Sequence, residues 1–444
     1  MNVQTPAAQF APAPDAYDAA DTKRRVKAIL LGSMGNLIEW FDVYAYAAFS
    51  LYFAASFFPK ADPVAQQLAT SVIFAAGFVA RPLGGILFGQ LADAYGRRNA
   101  LIGSVLLMCF GSALIAFCPT YASIGIGAPV ILTLARVLQG ISQGGEYGAS
   151  ATYLAEISHP QRRGFYSGVW YMTLIGGQLC AVTLLLVLQT FFLSDEQLRD
   201  WGWRIPFAIG ALLAVYTSFM RKDMHESEHF KQAKSAAKES LGLRGLMAHW
   251  KTLLLVVGVT VGGTSAFYTY TTYMQKFLKL SVGLTDGETT AVVTGSLLFA
   301  IILQPLYGAL SDKIGRKPML LYFGVMGTLC TWPILSTLQG TKSAFTAFLL
   351  ICAAWAIVSG YTSITAIIKA ELFPTNVRAL GVGVPYAFTV AIFGGTVDSV
   401  ALYFKGIGHE NWFFGYATAC IFVSLVVYVC LRDTKKHSLM EQHA

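Results

Sequence analysis

Charge is what this sequence has least of. Only 13% of its 444 residues are Asp, Glu, Lys or Arg, while 55% are hydrophobic. Soluble domains carry about 25% charged residues, so half that share over this length excludes an ordinary water-soluble protein and reads as a polytopic membrane protein. There is no G-x4-G-K-[ST] string, which removes the phosphate cradle that ATP-driven transport needs. The seven histidines (His159, His225, His229, His249, His409, His437 and His443) all fall in loops or tails. No imidazole is therefore expected at membrane depth, either for a metal or for a proton. The seven cysteines (Cys109, Cys118, Cys180, Cys330, Cys352, Cys420 and Cys430) lie in apolar runs without a C-x-x-C or Cys/His ligand pattern, and read as small hydrophobes. "GASAT" near Ser150 lacks the G-x-S-x-G spacing of a nucleophile elbow. No enzyme, metal site or organic cofactor is expected. A cleavable signal is also missing: residues 1–22 are Ala/Pro-rich and polar, and the apolar run that starts near Val26 is far longer than a signal core.

What is present is long apolar segments. A spanning helix needs about 20 largely apolar residues. On that scale the chain divides into twelve spans, near 26–57, 66–91, 99–119, 127–155, 163–192, 203–221, 251–279, 289–310, 318–338, 344–371, 379–404 and 411–431. With the N-terminus placed inside, Lys and Arg are about threefold more numerous in the inside segments, so both termini are expected in the cytoplasm. The net charge of +8 is then a topology signal and not a nucleic-acid footprint. The expected organisation is all-α: a disordered tail (1–22), a six-helix bundle (23–221), a charged central loop (222–250), a second six-helix bundle (251–432) and a short tail (433–444).

The two bundles look like duplicates. "GQLADAYGRRN" begins at Gly89 and "GALSDKIGRKP" at Gly308. Gly89, Asp93, Gly96, Arg97 and Arg98 in the first match Gly308, Asp312, Gly315, Arg316 and Lys317 in the second. Each string follows the second helix of its half. A second echo is Glu-x6-Arg, with Glu156 and Arg163 in one half and Glu371 and Arg378 in the other. Parallel repeats with a site between them near mid-membrane are a transporter design. The glycines permit a tight turn. Each Asp can meet a helix N-terminus or an Arg when one side of the protein is shut and release it on opening, as a bistable latch for alternating access. The alternative is a solubilised turn that obeys the positive-inside rule.

Several charges fall inside predicted spans: Glu39, Asp42, Arg81, Arg136, Glu146 and Asp398. A charge at the centre of a bilayer costs at least about 2.5–3.5 kcal/mol, so such groups pair or line a wet cavity. Asn36, Glu39, Asp42 and Tyr46 share one helix face, and Arg136, Gln139, Gln143 and Tyr147 share another. Arg binds carboxylates bidentately, so Arg81, which precedes Pro82, is the first candidate for a substrate carboxylate, with Arg136 beside it. Lys276 and Lys369 are candidates for a second carboxylate, against interfacial snorkelling. Gln143, Gln178, Tyr273 and Gln304 are candidates to orient a further oxygen, against plain packing. With no histidine at depth, a coupling proton needs a carboxylate, Asp42 first and Glu39 second. A static Asp–Arg pair is the alternative.

These strings also carry a resemblance. Both copies of G-x3-D-x2-G-R-[RK] resemble the signature loop of the major facilitator superfamily, and "RVLQG" (136–140) its fourth-helix motif in proton-coupled members. "GNLIEWFDVYAY", "FVARPLGGILFGQLAD" and "QGISQGGEYGASATYLAE" are similar to the metabolite:proton symporter family. "SLYFAASFFP", "YMTLIGGQL", "LRDWGWRIPF", "FYTYTTYMQKFL" and "KAELFPTNVRALGVG" resemble its 2-oxo-dicarboxylate branch. The likeness covers nearly all of the chain after residue 22. It implies proton-coupled uptake of 2-oxoglutarate across a bacterial inner membrane by a monomer, with a helix-one acid facing the helix-four Arg. Sister branches carry citrate, shikimate and betaine or proline. The osmosensing branch adds a long C-terminal coiled coil, which a chain ending soon after Arg432 is not expected to have. A channel, a solute sensor and an antiporter are the remaining readings.

Overall fold

A computed structural model describes residues 19–95, 97–144, 147, 151–152, 154–155, 158–222, 248–374, 377–435 and 437–439. Among these there is no strand. The first half holds α1 (Met34–Phe57), α2 (Pro63–Tyr95), α3 (Arg97–Ala116), α4 (Gly127–Gln143), α5 (Arg163–Val187) and α6 (Ile205–Lys222). The second holds α7 (Trp250–Tyr268), α8 (Asp286–Ile314), α9 (Arg316–Gly340), α10 (Ala344–Thr362), α11 (Arg378–Phe393) and α12 (Glu410–Cys430). The expected central loop and tails fall mostly outside the described residues.

The helices are less regular than an even apolar pattern suggests. A separate helix, Ala19–Gly32, precedes α1, with Ser33 between them. Wide i→i+5 turns at Thr269–Tyr273 and Leu278–Val282 extend α7. A short helix, Thr365–Glu371, extends α10. The eleventh span breaks in two, and Val397–Gly406 resumes it. The cause of that break is local: the amides of Gly394 and Gly395 both turn back to the Val390 carbonyl, at 2.9 and 2.8 Å.

Eight of the described helical stretches are long and apolar enough to cross a bilayer, and Ile102–Ala116 and Gly202–Tyr216 are shorter apolar ones. α1 and α4 are in neither group. These two helices carry Glu39, Asp42, Arg136, Gln139 and Gln143, whose polarity lowers their mean hydropathy, and all five side chains are buried.

Small residues let the helices approach closely, as membrane packing favours. In the first half α2 lies directly on α4. A methyl added at Gly140 would sit 1.9 Å from the Gly77 carbonyl oxygen, and one at Gly84 1.9 Å from that of Ile141. The two halves meet the same way along α5 and α8, where Gly164 and Gly308 each block a methyl on the other. They meet again along α2 and the resumed eleventh span: Gly395 lies against Phe78, and the Ser71 and Ser399 hydroxyls are 2.9 Å apart.

Gly140→Val is expected to force α2 and α4 apart and to lower stability by about 1–3 kcal/mol or more. Thermal unfolding in detergent, with Gly287→Ala as a control in open space, measures this.

Candidate functional site

Between the halves lies a belt of aromatic rings around two buried cations. Arg81 on α2 sits over the rings of Phe78 (4.0 Å) and Trp40 (5.2 Å). Its Nη2 donates to Gln143 Oε1 at 2.8 Å, while its Nε has no partner. Phe78 reaches Tyr268 of the second half, with ring centroids 5.4 Å apart. On the other side, Lys369 lies over Tyr386 (4.1 Å) and Tyr147 (5.3 Å) and donates to the Tyr147 hydroxyl at 3.2 Å. Tyr147 and Tyr386 stack across the halves at 3.5 Å.

Among the described residues, neither Arg81 nor Lys369 has a carboxylate within ion-pair distance. Lys369 is fully buried, so it does not snorkel. Around them the hydroxyls of Tyr44 and Tyr268, Gln143 Nε2 and Trp170 Nε1 are buried without partners, and so is Gln178 Oε1 on α5. Unsatisfied buried polar groups are rare in native structures and call for an explanation. A polar ligand that arrives and leaves supplies one.

Asp42 belongs to a second cluster, inside the first bundle. Its Oδ1 accepts from Ser112 Oγ on α3 at 2.7 Å, and its Oδ2 accepts from Gln139 Nε2 on α4. Gln139 Oε1 in turn accepts from Arg136 Nη1 at 2.6 Å. Arg136 lies against the Tyr46 and Phe74 rings, at 4.7 and 5.1 Å from their centroids. The expected facing of Asp42 and Arg136 is therefore indirect. Gln139 stands between acid and cation, and no ion pair joins them.

The repeat loops are partly described. The Asp312 carboxylate accepts from the backbone amides of Gly164 and Phe165, both at 2.8 Å, at the first turn of α5 in the other half. A negative side chain there meets the positive end of a helix. Arg316 pairs with Asp312 at 2.8 Å and with Glu371 at 3.7 Å. Arg378 Nε donates to the Phe373 carbonyl, and Glu371 takes Thr434 as well as Arg316. Arg163 is buried at the head of α5. The side chains of Asp93, Arg97 and Arg98, and the whole of Glu146 and Glu156, lie outside the described residues. At the opposite end, Arg199 of the first half lies 3.5 Å from Asp286 of the second, which Lys279 also holds at 2.7 Å.

The model of the family described as "Sugar (and other) transporter" matches residues 28–248 and 224–444. The chain belongs to that family. Its fold is that of the major facilitator superfamily: a D-xylose-proton symporter structure superposes with a TM-score of 0.72 over 93% of this chain and 99% of its own, at 17% identity. An alpha-ketoglutarate permease of Escherichia coli (strain K12) is 49% identical over 94% of this chain and 96% of its own. A citrate-proton symporter of Klebsiella pneumoniae is 31% identical over 89% of this chain and 90% of its own. The chain is a multi-pass membrane transporter and not an enzyme, as the sequence reading expects.

Three of the transporter's candidate residues stand elsewhere than expected. Lys276 Nζ is 2.6 Å from Asp398 Oδ2, both side chains are almost fully buried, and Thr272 completes the pair. Its charge is already compensated and does not snorkel. The Tyr273 hydroxyl donates to Glu410, which also takes Ser281, Gln339 and Lys405, so its oxygen is occupied. Gln304 bonds Ser359 and Thr362 and is fully satisfied within the second half. Sequence reasoning missed Trp40, Tyr44, Phe78, Tyr268, Tyr386 and Ser112. One signal was available for two of them: Tyr44-Ala45-Tyr46 and Tyr268-Thr269-Tyr270 recur in the first helix of each half.

Breaking a buried ion pair from one side strands the other charge, at about 3–5 kcal/mol. Lys276→Met alone is thus expected to lower thermal stability more than Lys276→Met combined with Asp398→Asn, as unfolding of the purified variants checks.

Proposed function

We propose that this transporter carries 2-oxoglutarate, or a similar dicarboxylate, inward together with protons by alternating access. It does so in a bacterial inner membrane, as a monomer with both termini cytoplasmic. The observation that carries the reading is the pair of buried cations, Arg81 from one half and Lys369 from the other, that have no described acidic partner. A lone buried charge is costly. Two of them facing one polar belt suit a ligand with two carboxylates, one for the bidentate guanidinium fork and one for the ammonium. The 49% identity to the Escherichia coli alpha-ketoglutarate permease supports the same substrate class.

Coupling to protons follows from energetics. A 2-oxo dicarboxylate carries about −2 at neutral pH. Inward movement against 100 mV, negative inside, costs about 2.3 kcal/mol per charge. Two or more protons per cycle cancel or reverse that term. Asp42 is the proposed proton carrier. Its two hydrogen-bond donors and its distance from a direct Arg partner suit a group that exchanges a proton, and Glu39, also buried on α1, is second. Alternation would work through the Asp312 clasp on α5, with Asp93, Arg97, Arg98, Glu156 and Arg163 as its counterpart in the first half. No organic cofactor or metal has a role in this scheme.

The test is uptake of labelled 2-oxoglutarate into proteoliposomes, with an inward pH gradient on or off and citrate, shikimate and betaine as cold competitors. Gradient-driven uptake that only dicarboxylates block is the expected result. Citrate competition with no 2-oxoglutarate uptake would move the chain to the citrate-carrying relatives. Arg81→Gln and Lys369→Gln are each expected to weaken 2-oxoglutarate binding about tenfold to a hundredfold, the worth of a charge-assisted hydrogen bond. Asp312→Asn is expected to keep substrate affinity within about twofold and to slow turnover, since it touches the clasp and not the belt. Binding and uptake rates measured on the same preparation separate the two effects.

A further inference from the structure

The pocket around Asp42 is built so that one hydroxyl has two places to point. Gln139 cannot be turned round: Arg136 is a donor only, so the amide oxygen faces Arg136 and the amide nitrogen faces Asp42. One amide hydrogen goes to Asp42 Oδ2 and the other to Ser112 Oγ, at 3.0 Å. Ser112 Oγ lies 2.7 Å from Asp42 Oδ1 and 3.1 Å from the carbonyl oxygen of Met108, one turn back on α3. The walls are tight. A methyl on Gly210 of α6 would sit 2.7 Å from Asp42 Oδ1, and one on Gly111 of α3 2.7 Å from Gln139 Cγ.

A protonated Asp42 needs an acceptor. Gln139 Nε2 and Arg136 are donors and cannot serve, which leaves Ser112 Oγ. We infer that Ser112 is a hydroxyl rotor that lets Asp42 take up and release the coupling proton without displacement of any heavy atom of its pocket. This rests on the proposed proton-coupled transport. With Asp42 ionised, the Ser112 hydroxyl donates to Oδ1. When a proton from water forms an O–H bond on Oδ1, that O–H donates to Ser112 Oγ, and the Ser112 hydrogen swings to the Met108 carbonyl. No bond of Ser112 breaks, Gln139 keeps both its contacts, and release of the proton reverses the swing. Among the described residues, the charged and titratable groups that face Asp42 from other helices are Arg136 on α4, reached through Gln139, and the Cys109 thiol on α3. On α1 itself Glu39 and Tyr46 lie one turn to either side, both buried. α6 presents Gly210. Ser112 is a positioning residue, since it acts on the proton through Asp42.

Infrared difference spectroscopy of the reconstituted full chain, titrated with pH, reads the rotor without reference to any substrate. A protonated-carboxyl band that is missing in Asp42→Asn identifies Asp42. In Ser112→Ala the ionised form loses a charge-assisted bond and the protonated form only a neutral one. The midpoint of the band is then expected about 0.5–1 pH unit higher, with the half-maximal pH of uptake moving alongside, and Ser112→Thr restores both. An unmoved midpoint in Ser112→Ala, a Thr variant that does not restore it, or no Asp42 band at all overturns the rotor. Failure of the wild-type protein to drive 2-oxoglutarate uptake by a pH gradient refutes the transport reading instead.

Discussion

A charge inside a bilayer has to carry its own solvent, and most of this structure is arranged around that requirement. The buried charges near the middle of the helices have substitutes for water of several kinds. Asp42 has a serine and an amide, and Arg136 has the amide oxygen and two ring faces. Lys276 and Asp398 have each other. Arg81 and Lys369 are the exceptions. Aromatic faces, a glutamine oxygen and a phenol oxygen stabilise them in part, through the ring quadrupole, but none of these neutralises a full positive charge. Arg136 at least reaches an acid through Gln139, whereas the Gln143 amide beyond Arg81 has no partner and Lys369 meets only a phenol and rings, so these are the two places that a mobile anion would complement.

The same requirement explains why the halves touch as they do. Where they meet near the repeat loop, the contact is glycine on glycine along α5 and α8, closed by a carboxylate on two backbone amides. At the other end it is two hydroxyls and a three-membered charge cluster. The first contact is long and close, with Gly164 and Gly168 of α5 against the backbone of α8 and the buried Arg316 beside Gly164. The second is made of hydroxyls and charges that water can also satisfy. The central aromatic belt, in contrast, is shared by both halves and has no such substitute.

Much of this was legible in the sequence. The two-half plan, the repeated loop and the buried positions of Asp42, Arg81, Arg136 and Asp398 follow from hydropathy and spacing, because a period-3.6 pattern and a lone charge in an apolar run are local properties. Partnership is not local. Lys276 and Lys369 look alike in the sequence, each a lysine near the end of an apolar run, and only the approach of the broken eleventh span tells them apart. It brings Asp398 to one and a tyrosine ring to the other. Gln139 was visible as one polar residue on a face. Its place between acid and cation depends on how α1, α3 and α4 pack, which no single helix records. The break at Gly394 was equally hidden, since glycines occur in every span of this chain and a Gly-Gly pair alone does not mark where a helix stops.

That break has a mechanical consequence. With the amides of both Gly394 and Gly395 spent on one carbonyl, the helical ladder between the two parts of the eleventh span is interrupted. The farther part, Val397–Gly406, is instead tied to the α7 extension by Asp398, through Lys276 and Thr272. Covalently it continues α11, yet its one ion pair is with the α7 extension, and it packs on α2, where Ser399 meets Ser71. One short segment thus links the first helix of the second half to the second helix of the first, independently of the Tyr386 stack on the nearer part of α11.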